Sequence, residues 1–340
     1  MKNPKSFPLL LFLIFGVTSC QTAPSENKTK DNAFIEILDN EALALIDPEA
    51  EIEVICSGFD WTEGPLWLEE QQILLFSDIP PNTLYQIGED GEPKVFLKPS
   101  GYTGTTPRGG EVGSNGLIMD PEGALVLFQH GDRRVAKMRG SITQPVPEFT
   151  TLADNYQGKR LNSPNDGVFD KAGNLYFTDP PYGLEGNVDD PARELDFQGV
   201  YCLKTNGELV LIDSLNSRPN GIAFSPDETR LLVANSDPKH AVWYQYDVVS
   251  PGELTNKRLF FDSTDLVGKE GQKGLPDGMK MHPSGILFAS GPGGILVFNP
   301  SGKPIARIFT GEATSNCAFS ADKKTLFMTA DGYVLRVGLR

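Results

Sequence analysis

Six short phrases place an oxygen-bearing side chain directly before a glycine or, once, a cysteine. They are Glu63-Gly64, Asn115-Gly116, Asp166-Gly167, Asn220-Gly221, Asp277-Gly278 and Asn316-Cys317. Carboxylate and amide oxygens are hard donors, and no histidine or cysteine stands at the donor position. Such a set suits Ca²⁺, which takes about six to eight oxygens at roughly 2.3–2.6 Å. Zinc prefers nitrogen or sulfur. Glu63 and Asp277 would neutralise the ion and the amides would complete its shell. A single Asn-Gly or Asp-Gly pair is an ordinary turn former. Six of them read as a site only if the fold brings them to one axis.

The spacing indicates such a fold. The anchoring glycines follow one another at steps of 52, 51, 54 and 57 residues, and Cys317 stands 39 residues after Gly278. The stretch Leu161–Gly183 shows the unit most fully. A polar cluster ends at Gly167, an apolar strand follows, Lys171-Ala-Gly-Asn174 turns the chain, and Leu175–Phe177 leads to a polar exit at Thr178-Asp179. Third strands follow in most units, such as Thr83–Ile87, Val200–Leu203 and Val242–Tyr246. Short strands with Gly, Pro, Asn and Asp punctuation are an all-β pattern. Repetition at this period indicates a propeller, whose blades usually hold four strands around a channel. A β-sandwich with similar hairpins is the alternative. The expected fold is an all-β six-bladed β-propeller with a central-channel metal site.

In a propeller each phrase opens the inner strand of its blade, so six starts converge on one mouth. The returning strands end at Ser77-Asp78, Gln129-His130, Thr178-Asp179, Asn235-Ser236, Ser290-Gly291 and Thr329–Asp331, and are expected to rim the same pocket. His130 is the one exit with a proton switch near neutral pH. It reads as a substrate contact, as does Asn115, or as a loop histidine bonded to Asp132. Glu51–Cys56 is expected to pair as the outer edge of the last blade, which ends at Tyr333–Leu339, and so to close the ring.

The chain before the ring divides into three parts. Residues 1–19 read as a lipoprotein signal peptide: Lys2 and Lys5 precede a short apolar core, Leu9–Phe15, too short to span a bilayer. Val17-Thr-Ser-Cys20 resembles a bacterial lipobox, with Cys20 the lipidated first residue; an ordinary cleavage site nearby is the alternative. Residues 20–32 read as a polar tether. Residues 33–50, with Phe34, Ile37, Leu38 and Leu45 apolar, read as a short helical extension packed on the ring. Residues 51–340 are the propeller. The expected location is the bacterial cell envelope, periplasmic or outer-membrane-anchored, with the membrane touched only through the N-terminal lipid.

Net charge is −15, and −17 once Lys2 and Lys5 leave with the leader. That balance excludes a basic stripe for nucleic acid. Cys56, Cys202 and Cys317 read as small buried apolar residues, with no spacing that demands a bridge. Among other catalytic signatures, the Gly-x-Ser-x-Gly elbow and the phosphate-cradling Gly-x-x-x-x-Gly-Lys loop are absent from the sequence. His240 and His282 stand in turn-like contexts.

The chain resembles the senescence marker protein/gluconolactonase/luciferin-regenerating-enzyme family, in its bacterial gluconolactonase branch, over roughly residues 50–340. The resemblance rests on Glu63–Trp67, Gln129–Arg134, Lys159–Gly167, Phe177–Gly183, Pro219–Pro226, Pro276–Gly278 and Ser315–Cys317. It implies one divalent cation at the channel mouth, usually Ca²⁺, with Mg²⁺, Mn²⁺ and Zn²⁺ as other candidates. It implies Glu63, Asn220 and Asp277 as ligands, with Asp277 also the catalytic base. Asn165 is implied to contact metal or substrate. Counting back from the glycine selects Asp166 instead, and adjacent strand residues face opposite ways; following the resemblance requires an irregular start there. Ser163 stands where the family's animal members carry an arginine.

The expected activity is metal-assisted hydrolysis of a small-molecule lactone. The cation would polarise the carbonyl and Asp277 would accept a proton from the attacking water. Phosphotriester hydrolysis with Asp277 as nucleophile is a second reading, and a non-catalytic ligand-binding propeller a third, since fold alone does not give function.

Overall fold

The computed structural model describes residues 28–30 and 32–340. The expected leader, Cys20 and most of the expected tether lie outside them. The described chain is a six-bladed β-propeller. Its inner strands are Thr62–Leu68, Ser114–Met119, Gly167–Phe169, Pro219–Phe224, Met279–Met281 and Thr314–Phe319. Each is followed outward by antiparallel neighbours in simple meander order. A two-stranded ribbon, Asn155–Tyr156 with Lys159–Arg160, sits between the second and third blades.

Local chemistry sets the hairpins. In the third blade Asp170 Oδ1 accepts the amides of Ala172 at 3.0 Å and Asn174 at 2.8 Å. The second blade repeats this with Asp120, which accepts the amides of Glu122 and Ala124 at 2.9 and 2.8 Å. Each aspartate holds a tight turn and fixes the register of the strands on either side.

Side-chain alternation then builds the ring. Successive strand residues point to opposite faces, and both faces of a blade are covered by its neighbours. Leu125 and Leu127 pack with Leu75 and Leu84 of the first blade. Val126 and Phe128, alternating with them in sequence, pack with Leu175 and Phe177 of the third. Leu74 and Phe76 complete the circle against Phe327 and Val334 of the sixth. Each such side chain, fully buried, contributes about 1.5–3 kcal/mol relative to exposure.

Ring closure follows the sequence expectation. Ile52–Ser57 pairs antiparallel with Tyr333–Gly338, Val337 opposite Ile52 and Val334 opposite Cys56. Lys28–Thr29, at the end of the stretch read as a tether, adds a further short strand outside it. The segment 33–50 differs from the expected helix. Phe34–Ile37 is a strand on the outer edge of the fifth blade, pairing with Pro304–Phe309. A single 3₁₀ turn, Asn40–Ala44, follows it, capped by Asp39. Ile35 and Ile37 face the blade while Phe34 and Glu36 face out, a period of two that the helical reading overlooked. Cys202 and Cys317 are buried as expected, Cys56 is half-buried, and none of the three is bridged.

Candidate metal and active site

The inner strands begin irregularly, and this aims their polar residues. Register shifts fall between Glu63 and Leu66, Ser114 and Leu117, Pro219 and Ile222, and Thr314 and Asn316. In the third and fifth blades the regular ladder starts only at Gly167 and Met279. Such bulges re-aim side chains. Neighbouring phrases then crowd around the axis. A Cβ on Gly221 would lie 2.2 Å from the Asp277 carbonyl oxygen, so only glycine lets these two phrases touch.

Hydroxyls of the returning strands tie blade to blade. Ser77 donates to the Asn115 carbonyl at 3.0 Å, Thr178 to the Asn220 carbonyl at 2.7 Å and Ser290 to the Ser315 carbonyl at 2.7 Å. Ser315 donates in turn to the Thr62 carbonyl at 2.7 Å. Ser77, Thr178 and Ser290, read from sequence as part of the pocket rim, are instead stitches around the channel, whereas the exit residue Ser236 does line the pocket at its mouth. Asp78 and Asp179 are also occupied with backbone. Asp78 accepts the Trp61 amide at 3.0 Å, and Asp179 accepts those of Asn162 and Ser163, each at 2.8 Å. Burial pushes the Asp179 carboxyl up to about 7 against those hydrogen bonds.

A cavity of about 230 Å³ opens at the mouth of the channel, and Glu63, Asn115, Asn165, Asn220 and Asp277 all line it. The Oδ1 atoms of Asn115, Asn165, Asn220 and Asp277 are buried without a hydrogen-bond partner. An unpaired buried acceptor is costly, and four in one small cavity ask for a shared partner. Glu63 is oriented from behind. Its Oε2 accepts the Gly64 amide at 2.7 Å and the Asn316 side-chain amide at 3.2 Å. Asn220 donates to Ser236 Oγ at 2.9 Å, which leaves its oxygen facing the cavity.

Electrostatics agree with a cation. Burial raises the carboxyls of Glu63 and Asp277 well above the usual range; the Asp166 charge adds to the first, and the charges of Glu63, Asp166 and Glu111 add to the second. A positive ion between them would offset both effects. Among the described residues, no three His, Cys, Asp or Glu side chains form a metal-binding group by themselves. The set at this mouth is two carboxylates with amide oxygens, which suits a hard cation.

Asn165 lines the cavity and Asp166 does not. Asp166 turns down the channel, where Oδ1 accepts the Gly167 amide at 2.8 Å and Oδ2 lies 4.0 Å from Lys280 Nζ. Lys280 also donates to Asn316 Oδ1 at 3.3 Å, so Asn316, like Asp166, belongs to the channel floor. His130 is fully buried and does not line the cavity. Its Nδ1 lies 3.2 Å from Glu111 Oε2, and Glu111 lines the mouth in its place. Nor does His130 bond Asp132, which is occupied by Thr103 and Arg134. Ser163 is buried away from the cavity and braces the turn Pro180–Gly183.

Trp61, Glu111 and Tyr182 line the cavity without having been singled out by the repeat. Trp61 and Glu111 come from segments outside the strand–turn–strand unit. Tyr182 lies within Phe177–Gly183, a stretch that stood out as a motif but not for that side chain.

Comparison with known proteins agrees with this architecture. Residues 61–332 match the model of the SMP-30/Gluconolactonase/LRE-like region. The gluconolactonase of Zymomonas mobilis is 42% identical over 299 residues, covering 86% of this chain and 83% of that one. A solved gluconolactonase from Xanthomonas campestris superposes with a TM-score of 0.78 at 28% identity, over 94% of this chain and 99% of that one. The diisopropyl-fluorophosphatase of Loligo vulgaris is 29% identical over 196 residues, covering 55% of this chain and 60% of that one. With the family model spanning nearly the whole ring and such identity over most of both chains, the protein belongs to the SMP-30/gluconolactonase/LRE-like family.

Proposed function

We propose that this protein hydrolyses a lactone at the channel mouth, with a divalent cation, Ca²⁺, held by Glu63, Asn165, Asn220 and Asp277. The observation that carries this is the convergence of three unpartnered oxygens, on Asn165, Asn220 and Asp277, with Glu63 in one small cavity. The similarity to the Zymomonas gluconolactonase supports the substrate class. When bound, such a cation polarises a carbonyl oxygen and stabilises the charge that develops there.

The side chains do the rest. The Asp277 carboxylate, through its oxygen not turned to the cation, takes a proton from the water that attacks the carbonyl carbon. The carbon–oxygen bond of the ring breaks, and the proton passes to the departing ring oxygen. Glu63 and Asn220 keep their orientation through Gly64, Asn316 and Ser236. A cavity of about 230 Å³ is below the range typical of drug-sized ligands, and fits a single small ring. A panel of lactones assayed by proton release, with chelator and with Ca²⁺, Mg²⁺, Mn²⁺ or Zn²⁺ restored, tests this reading. No lactone turnover under any of these conditions overturns it.

The similarity to the Loligo phosphatase favours one second reading, phosphotriester hydrolysis with Asp277 attacking phosphorus. Single turnover in ¹⁸O water separates the routes, because a nucleophilic carboxylate passes an unlabelled oxygen to the first product. The sequence Val17-Thr-Ser-Cys20 supports a lipid anchor that would hold the enzyme at the bacterial envelope. Palmitate labelling tests the anchor, and label retained in Cys20→Ser overturns it.

A further inference from the structure

Five buried atoms lining the cavity lack a hydrogen-bond partner. Four are Oδ1 of Asn115, Asn165, Asn220 and Asp277, and the fifth is the Tyr182 hydroxyl. The amide oxygens and an ionised carboxylate only accept hydrogen bonds, which is the chemistry a cation uses. The Tyr182 hydroxyl alone among the five has a proton to give. A cation repels that proton, so the hydroxyl is suited to an oxygen of an organic molecule sharing the cavity.

The hydroxyl is also held in place. Ser163 Oγ donates to the Pro180 carbonyl at 2.6 Å and accepts the Gly183 amide at 2.9 Å, bracing the turn on both sides of Tyr182. Arg108 donates to the Gly183 carbonyl from the loop between the first two blades. A Cβ on Gly183 would stand 2.6 Å from His130 Cβ, so the turn is packed tightly against the second blade. The nearby Ser236 hydroxyl accepts from Asn220 and donates to the Pro276 carbonyl, and the Tyr182 hydroxyl does not reach hydrogen-bond geometry to its remaining lone pair. A fixed donor with no internal partner is preorganised for a ligand.

We propose that Tyr182 is a substrate-positioning, specificity-determining residue, whose hydroxyl donates a hydrogen bond to a ring hydroxyl of a polyhydroxylated lactone. This rests on the lactone reading above. The reacting carbonyl must approach the four acceptor oxygens and their cation. The Tyr182 ring, partly exposed, forms the wall beside them and so faces the remainder of the substrate ring. A sugar-like lactone presents hydroxyl oxygens there, and an unsubstituted lactone presents none.

The test compares wild type and Tyr182→Phe on glucono-δ-lactone and on δ-valerolactone, the same ring without hydroxyls. The expected result is a fall of about tenfold in the preference for the hydroxylated ring, the size of one hydrogen bond, carried by KM rather than kcat. The melting temperature of Tyr182→Phe should be no lower than that of wild type, since the lost hydroxyl bonds nothing within the protein. Equal losses on both lactones overturn the proposal and assign the hydroxyl to the reacting group. No loss on either overturns it and assigns the hydroxyl to water. Wild type that opens neither lactone refutes the lactone reading itself, and the role of Tyr182 with it.

Discussion

The side-chain amide of Asn220 donates to Ser236 Oγ at 2.9 Å, and the same serine donates to the carbonyl of Pro276. One hydroxyl therefore sets a candidate ligand in the fourth blade and the backbone beside Asp277 in the fifth. Partners behind a metal ligand typically account for about 10–100-fold in affinity. Ser236→Ala should weaken Ca²⁺ binding by that factor in calorimetric titration of chelator-stripped protein. Unchanged affinity would show that the two ligands are set independently.

Asp277→Asn keeps the side-chain shape and one oxygen but removes the proton acceptor. Turnover of glucono-δ-lactone, followed in a pH-stat, should fall by about 10²–10⁴-fold. A rate like that of wild type would exclude Asp277 from the proton transfer.

Burial raises the Glu63 and Asp277 carboxyls in the folded protein without a cation. The folded state then holds protons that the unfolded chain has already released, so stability falls as pH rises above the ordinary carboxylate range. Bound Ca²⁺ offsets that loss. Ca²⁺ at a hundred times its dissociation constant adds about 2.7 kcal/mol. Scanning calorimetry should therefore find a larger gain in melting temperature on adding Ca²⁺ at pH 8 than at pH 5. Equal gains at both would refute the assignment of the two carboxylates to the ion.

Gly221→Ala drives a methyl group to within 2.2 Å of the Asp277 carbonyl oxygen and 2.8 Å of the Gly278 Cα. Both contacts are backbone, so the phrases must move apart. Overpacking of this kind costs about 1–3 kcal/mol. The urea midpoint and the Ca²⁺ affinity should drop together. A loss of stability alone would mean that the spacing of these phrases does not matter to the ion.

The repeat was legible because each blade needs the same things: a polar start, a tight turn and two faces of apolar residues. Its spacing therefore located the inner strands and the closing strand. The residues 33–50 misled because Phe34, Ile37 and Leu38 mimic a helical stripe, whereas the alternation of Ile35 and Ile37 is what the blade edge uses. The choice between Asn165 and Asp166 depends on where the regular ladder begins, and the residues alone do not fix that. Ser77, Thr178 and Ser290 looked like pocket residues because they lie at the right level, but the bonds they make lead to the next blade. Trp61, Glu111 and Tyr182 were hidden for a different reason. Partners distant in sequence set their positions: Asp78 for Trp61, His130 for Glu111 and Ser163 for the turn that carries Tyr182.

The pairing of Ile52–Ser57 with Tyr333–Gly338 has a consequence for biosynthesis. Glu53 and Arg336, which meet across this seam at 2.7 Å, are 283 residues apart in the chain. The first of these strands leaves the ribosome long before its partner has been translated. Contacts so distant are slow to form, and this one cannot form until the last segment emerges. A chain stalled a few residues short would expose an unpaired apolar edge, and quality-control proteases would meet an open arc where the finished molecule is a closed circle.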